Sequence, residues 1–168
     1  MTDSHAETSA AAAPGAPPRR SRTIARVAAV QALFQCEQNG DAAETVISQF
    51  LRHRLEDGGA ASFEDGQAPH ADFTLFSSIV RGTTLDQDRI DGALSEVLPE
   101  SWRLERLDPV LRALLRAGAH EIGTGVPAGV VINEYLDVAH GFFSGDEPRM
   151  VNGVLDALAK RPKPESTP

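Results

Sequence analysis

Among 168 residues, the side chains that could act on a substrate or hold an ion are few and poorly spaced for catalysis. The histidines are His5, His53, His70, His120 and His140, and none pairs with another ligand at the one-turn spacing of a helical metal site. An exception in spacing is His53, with Glu56 and Asp57 three and four residues on, and a surface charge cluster accounts for that grouping. The sole cysteine, Cys36, excludes an internal disulfide and any multi-cysteine zinc site. It has no neighbour resembling a nucleophile's base and stands beside Glu37, which would raise its pKa if close, so it reads as a packing residue. No Gly-Lys-Ser/Thr phosphate loop exists. The glycines 123, 125 and 129 imitate a dinucleotide loop, but the third is one residue late and Pro127 interrupts, so the segment reads as a helix–helix turn. The sequence therefore offers no catalytic constellation, metal site or cofactor site, and binding is the chemistry left to consider.

The cations support that reading. Net charge is −8, which argues against a generally sticky polyanion binder. From Thr8 to Cys36, however, there is no acid, while Arg19, Arg20, Arg22 and Arg26 all fall there. From Glu37 to Asp108, fifteen acids face six arginines. A basic arm running into a helix start suits phosphate, because free amide donors, the positive dipole end and forked guanidiniums converge there. A solvated tail explains the same asymmetry equally well. Arg112 and Arg116, one turn apart, either extend the strip or pair with acids of the body. Arg149, near another helix start, has no obvious partner in the sequence.

The elements positioning these cations read as helices throughout. Hydrophobic residues make up 41% of the chain, enough for a globular core, and no apolar run reaches the length of a membrane span. Residues 1–18 form an Ala- and Pro-rich leader without the basic start and apolar stretch of a secretory signal, and read as disordered, as does the polar tail 162–168. Ile24, Val27, Ala28, Val30, Leu33 and Phe34 give the first helix an apolar face, with Ser21 or Thr23 as its cap. Asp41 caps the second, Glu44 completes a capping box, and Val46, Ile47, Phe50, Leu51 and Leu55 keep helical spacing. Residues 56–69 read as an acidic, glycine-rich loop. Phe73, Phe76, Val80, Thr83, Gln87, Ile90, Leu94 and Val97 alternate steps of three and four, which predicts one helix of roughly 25 residues ending before Pro99. After a short turn around Trp102 and Leu104, Asp108-Pro109 opens a helix carrying Val110, Leu111, Leu114, Leu115 and Ile122, closed by Gly123. Pro127 opens the next, with Val131, Tyr135, Val138, Ala139 and Phe142 inward. Gly145, Asp146 and Pro148 precede a last helix bearing Val151, Val154, Leu155 and Leu158. The expected fold is a compact all-α bundle of about seven helices over residues 19–161. Gly118 and Gly153, each costing ~1 kcal/mol inside a helix, mark places where close helix approach would be the reason for a glycine.

Four segments together resemble the NusB family of bacterial transcription antitermination factors. They are Ala25-Arg-Val-Ala-Ala-Val-Gln-Ala-Leu-Phe34, residues 107–122 from Leu107-Asp-Pro to His120-Glu-Ile122, Val126-Pro-Ala-Gly-Val-Val-Ile-Asn-Glu-Tyr135, and residues 142–156 including Val151-Asn-Gly-Val-Leu-Asp156. Order and spacing agree over residues 20–160. The resemblance implies two packed helical groups and no enzymatic activity. It also implies joint binding, with the small-subunit ribosomal protein NusE, to the single-stranded boxA element of ribosomal RNA. Other Nus factors and RNA polymerase would complete the assembly in the cytoplasm, and a homodimer is a further partner expectation. Arg22 and Arg26 match basic positions of the family's RNA-contacting segment. This chain has Thr23 and Ile24 where relatives often carry further arginines, with Arg19 and Arg20 as substitutes. Phe34 matches an aromatic position near the NusE contact, with plain core packing as the alternative. Asp146 matches an acidic position implicated in complex function, with helix capping as the alternative. Met150 stands where many relatives have Phe beside the RNA path. The expected RNA contacts are thus Arg19, Arg20, Arg22, Arg26, Arg116, Arg149 and Met150, and the partner contacts Phe34 and Asp146. A protein scaffold with an idle arginine arm, or a module related to that of RNA cytosine methyltransferases, would be the competing readings.

Overall fold

Apolar residues recurring every third or fourth position fold this chain as helices, and a computed structural model describes residues 19–56 and 72–162. The side chains of residues 19 and 54–56 lie outside that description. So do the leader 1–18, most of the expected loop 56–69, the tail after Pro162, His5, Asp57 and His70. The helices are α1 (Arg19–Asn39), α2 (Ala43–Glu56), α3 (Phe73–Leu85), α4 (Gln87–Val97), α5 (Pro109–Ile122), α6 (Ala128–Phe142) and α7 (Glu147–Lys160), with a 3₁₀ turn at Leu104–Arg106. No strand occurs among the described residues, so the all-α expectation holds. None of the described helices is long and apolar enough to cross a membrane.

Helices α1, α2 and α3 pack on one another, and α4 to α7 gather around α5, which also touches α1 and α3. The face that α1 gives to this junction is rich in small residues: Ala25, Ala28, Ala29 and Ala32 are buried along with Val30 and Leu33, whereas Ile24 and Val27 are only half-buried. Short side chains let α3 and α5 come close along much of α1. Leu111, Leu114 and Leu115 of α5, Tyr135 of α6, Phe76 of α3 and Leu155 of α7 fill the fully buried centre. Phe142, expected inward, is 39% exposed because it is the last residue of α6.

Several local signals act as read. Asp108 Oδ1 accepts from the N–H groups of Val110 at 2.8 Å and Leu111 at 3.3 Å, and Pro109 follows it into α5. Gly123 N–H donates to the carbonyls of His120 and Ala119, closing that helix. Others differ. The first helix begins at Arg19, upstream of both expected caps. Ser21 is buried, with its carbonyl accepting from Asp72 N–H, and Thr23 donates across to Glu134. At α2 the carboxylate of Glu44 engages Arg81 of α3, not the capping position.

The single long helix is instead two. Asp86, at φ −102° and ψ 17°, ends α3 and starts α4, and Arg89 holds its carboxylate at 2.8 Å. The bend lets α3 lie on α1 and α2 while α4 turns to α5 and α7. Leu85, at the outside of the bend, is 85% exposed. The three-and-four spacing runs through unbroken because the bend preserves which face is buried on each side.

The glycines also sort themselves. A Cβ on Gly118 would lie 3.0 and 3.1 Å from the Leu155 methyls, so close approach of α5 and α7 explains this glycine. Gly153, expected at a tight crossing, has nothing within 4 Å of where its Cβ would be. The tight place is Gly82 of α3, where a Cβ would collide with the His120 ring of α5. Burial beneath α3 lowers the His120 pKa, outweighing the neighbouring Glu121 and Asp86 carboxylates. The neutral imidazole is therefore favoured here, not the imidazolium a helix C-terminus would attract.

Gly153→Ala should stabilise the fold by about 1 kcal/mol in urea titrations, through helix propensity alone. Gly82→Ala should lose about 1–3 kcal/mol despite the same propensity gain, because the His120 ring must move. Below pH 6.5 the unfolded chain takes a proton that folded His120 resists, so stability falls with falling pH until the folded pKa is passed. His120→Gln should show a shallower loss between pH 7.5 and 5.5 than the parent chain.

Candidate nucleic-acid interface

The cationic surface is defined first by the arginines that acids have taken. Arg26, expected in the RNA-contacting arm, is 4% exposed. Its Nε and Nη2 donate to the two Glu121 oxygens at 2.8 and 2.9 Å, and Glu134 lies 3.6 Å from Nη1. Burial works against its charge, but the Glu121 carboxylate outweighs this and holds the guanidinium above its ordinary range. Thr23, three residues earlier on α1, donates to Glu134 at 3.1 Å. Tyr135 is wholly buried beside this cluster, and desolvation together with the Glu121 charge raises its phenol well above the usual value. Arg26 therefore ties α1 to α5 and α6. It is corrected from an RNA contact to an internal strut, since a buried guanidinium shared between two carboxylates has no face left for phosphate.

Arg116 is corrected for a similar reason. It donates to both Asp91 oxygens, at 2.7 and 2.9 Å, and reaches Glu37 at 3.2 Å, with only 11% of its side chain exposed. Arg112 joins it on Glu37 and also donates to the carbonyls of Leu104 and Leu107. Glu37 is thus occupied away from Cys36, whose pKa is raised by burial first and by Asp41 second. Arg81, Arg89 and Arg161 hold Glu44, Asp86 and Glu96. No cluster of metal-ligating side chains occurs among the described residues.

These pairings leave Arg22, Arg52, Arg103, Arg106 and Arg149 exposed and outside the ion pairs of the described residues. Arg22, in the second turn of α1, is exposed and enters no ion pair among the described residues. Arg20 is exposed beside it, and Arg19 is the first residue of the same helix. At a separate place, Arg149 is exposed on α7 and equally unpaired. It borders an open cavity of about 520 Å³ formed by Val97, Pro99, Trp102, Met150 and Gly153, with Asp146 at its edge. Met150 is 7% exposed, so it forms the floor of this cavity more than its surface. Asp146 starts α7 without a side-chain capping bond, so its exposed carboxylate is uncommitted and the capping alternative does not hold. Phe34 is half-buried against the core. Sequence reasoning passed over Trp102 as part of a turn, although it is the only tryptophan of the chain.

Arg26→Ala should cost about 3–5 kcal/mol by denaturant unfolding, since it strands Glu121 and Glu134 without a cation. Arg22→Ala should change stability by no more than about 0.5 kcal/mol.

The chain also resembles proteins already characterised. A model of the NusB family matches residues 23–160. Over 145 residues, 86% of this chain and 90% of the relative, it is 70% identical to the transcription antitermination protein NusB of Gluconobacter oxydans. It is 60% identical to the protein of the same name from Granulibacter bethesdensis, over 87% of this chain and 91% of that one. The fold matches NusB of T. maritima with a TM-score of 0.65 at 28% identity, covering 86% of this chain and 94% of the other. A structure described as antitermination factors NusB and NusE in complex with dsRNA matches with a TM-score of 0.64 at 21% identity, over 85% of this chain and 98% of its own. With a family model spanning nearly all of the described helices and relatives this similar, the chain belongs to the NusB family.

Proposed function

We propose that this chain is a non-enzymatic transcription antitermination factor that acts in the cytoplasm as an RNA-binding adaptor. In this reading it binds the single-stranded boxA element of ribosomal RNA jointly with NusE, within a larger complex of other Nus factors and RNA polymerase. The names of its relatives support the general role, and the NusB–NusE–RNA composition of a structural neighbour supports the pair of partners. The observation that carries it is the exposed guanidinium of Arg22 at the start of α1, which enters no ion pair among the described residues, in a segment from Thr8 to Cys36 that holds no acid.

Arg19, Arg20 and Arg22 contact phosphates at this pole, and Arg149 with Met150 contributes a second place along the strand. Phe34 and the uncommitted carboxylate of Asp146 serve the protein partner. An overall charge of −8 keeps RNA affinity modest when the chain is alone. A basic partner seated on the acidic body adds its own contacts to the same strand, so the two bind it more tightly than either does separately.

Binding of a boxA oligonucleotide, followed by anisotropy with and without NusE, tests the reading. NusE should raise affinity at least tenfold. Three phosphate contacts at the arm contribute about −2 to the log–log salt slope, at about 0.7 per contact for single strands. The double variant Arg20→Ala, Arg22→Ala should lose most of that slope while unfolding as the parent does. Undiminished RNA binding in the variant would leave a protein scaffold as the better account.

A further inference from the structure

A second cavity, of about 810 Å³, opens between α4 and the end of α7, and none of the residues assigned above to RNA or to NusE borders it. Its floor is apolar: Ile90 and Ala93 of α4, Ala119 and Ile122 of α5, and Leu158 and Ala159 of α7. Small residues keep it open, and a Cβ on Gly92 of α4 would meet nothing within 4 Å. The rim is charged. Arg89 is spent on Asp86, and Arg161 on Glu96 and on the Ala93 carbonyl at 3.3 Å. Asp88, exposed in the first turn of α4, enters no ion pair among the described residues. The uncommitted charge at this cavity is therefore a carboxylate, beside two more that their arginines only balance.

Shape and chemistry select among occupants. From Asp86 to Glu96 the cavity follows α4 for about 15 Å at 1.5 Å per residue, room for about three turns of another helix. Amphipathic helices fill such grooves with apolar anchors three and four residues apart. RNA is disfavoured, since its phosphates would meet carboxylates at the rim and no unpaired arginine or lysine among the described lining residues. A second copy of the chain has little to insert. The large apolar side chains exposed among the described residues, Leu85, Val130 and Phe142, stand on no common stripe. Residues 163–168, Lys-Pro-Glu-Ser-Thr-Pro, contain no large apolar side chain for the floor.

We propose that this cavity docks an amphipathic helix of a protein partner, apolar on the face it inserts and carrying Lys or Arg where it passes Asp88. Apolar burial supplies the affinity, and the Asp88 contact supplies the choice of a basic over an acidic helix. The proposal goes beyond the RNA-binding reading and does not depend on it. Leu158 lies nine residues after Arg149 on α7, about 14 Å along the helix, and neither Arg22 nor Phe34 borders the cavity. The chain can therefore hold this partner and an RNA strand together.

The probes are two synthetic helical peptides of about fourteen residues, with leucines at i, i+3, i+4 and i+7, one flanked by lysines and one by glutamates. Each is titrated into the nitrogen-15-labelled full chain while backbone amide shifts are followed. The lysine peptide should give saturable shifts at Ala93, Ile122 and Ala159, and the glutamate peptide should bind roughly fivefold more weakly. Asp88→Asn should remove most of that preference with the fold retained. Gly92→Leu, placed in open space, should keep the fold and weaken the lysine peptide at least about fivefold by occupying the cavity. Added boxA RNA should leave the peptide's affinity as it was. No binding by the lysine peptide, equal binding by the two, or shifts centred outside the cavity would overturn the proposal. Undiminished binding to Gly92→Leu, or displacement of the peptide by RNA, would do the same. Shifts at these amides on dilution without peptide would assign the cavity to a second copy, and shifts on removing residues 163–168 would assign it to the chain's own end. Either result overturns the partner helix. The RNA-binding reading survives all of these outcomes and fails separately, if boxA RNA does not bind.

Discussion

The contact on which the rest of the molecule depends is the buried guanidinium of Arg26 between Glu121 and Glu134. It joins the helix that carries the cationic pole to the two helices that organise the second group. Such a contact is held in place by its own cost: charge taken out of water must find its partner in one geometry, so α1 cannot slide or rotate on α5 and α6 without stranding it. Thr23 on Glu134 adds a second bond close to the exposed turn, and Tyr135 seals the cluster from below. Arg22 therefore projects from a helix whose position is set from within. The alanine face of α1 serves the same end by allowing close approach on both sides.

Charge on this protein is distributed by pairing more than by number. Glu37 and Asp91 absorb Arg112 and Arg116; Glu44, Asp86 and Glu96 absorb Arg81, Arg89 and Arg161. Several of these pairs cross between helices far apart in sequence, so they act as surface latches of modest worth individually. Their larger effect is on what is left. Arg22 and Arg149 are among the exposed arginines that enter no ion pair of the described residues.

The helical wheel held more information about Arg26 than charge reading extracted from it. Arg26 precedes Ala29 and Val30 by three and four residues, Glu121 follows Ala117 and Gly118 by the same steps, and Glu134 lies three after Val131 and four before Val138. All of these apolar or small neighbours are buried, or, for Gly118, in contact with Leu155. A cation and two acids on buried stripes of separate helices are a signature of an internal salt bridge. A run of arginines groups Arg26 with sequence neighbours that point elsewhere, because consecutive helical residues turn about 100° apart.

Sequence by itself determined the helical class, most residues of the core, the Asp108 cap and the Gly123 stop, because each depends on spacing or chemistry within a few residues of chain. The family could be read from order and motif for the same reason. Tertiary structure alone decided that α3 and α4 are separate, that Gly82 and not Gly153 is the crowded glycine, and which arginines are free. It also created the Trp102 cavity, whose walls come from segments some fifty residues apart. These outcomes depend on what stands opposite each side chain once the helices pack, and local periodicity contains no term for the opposite partner.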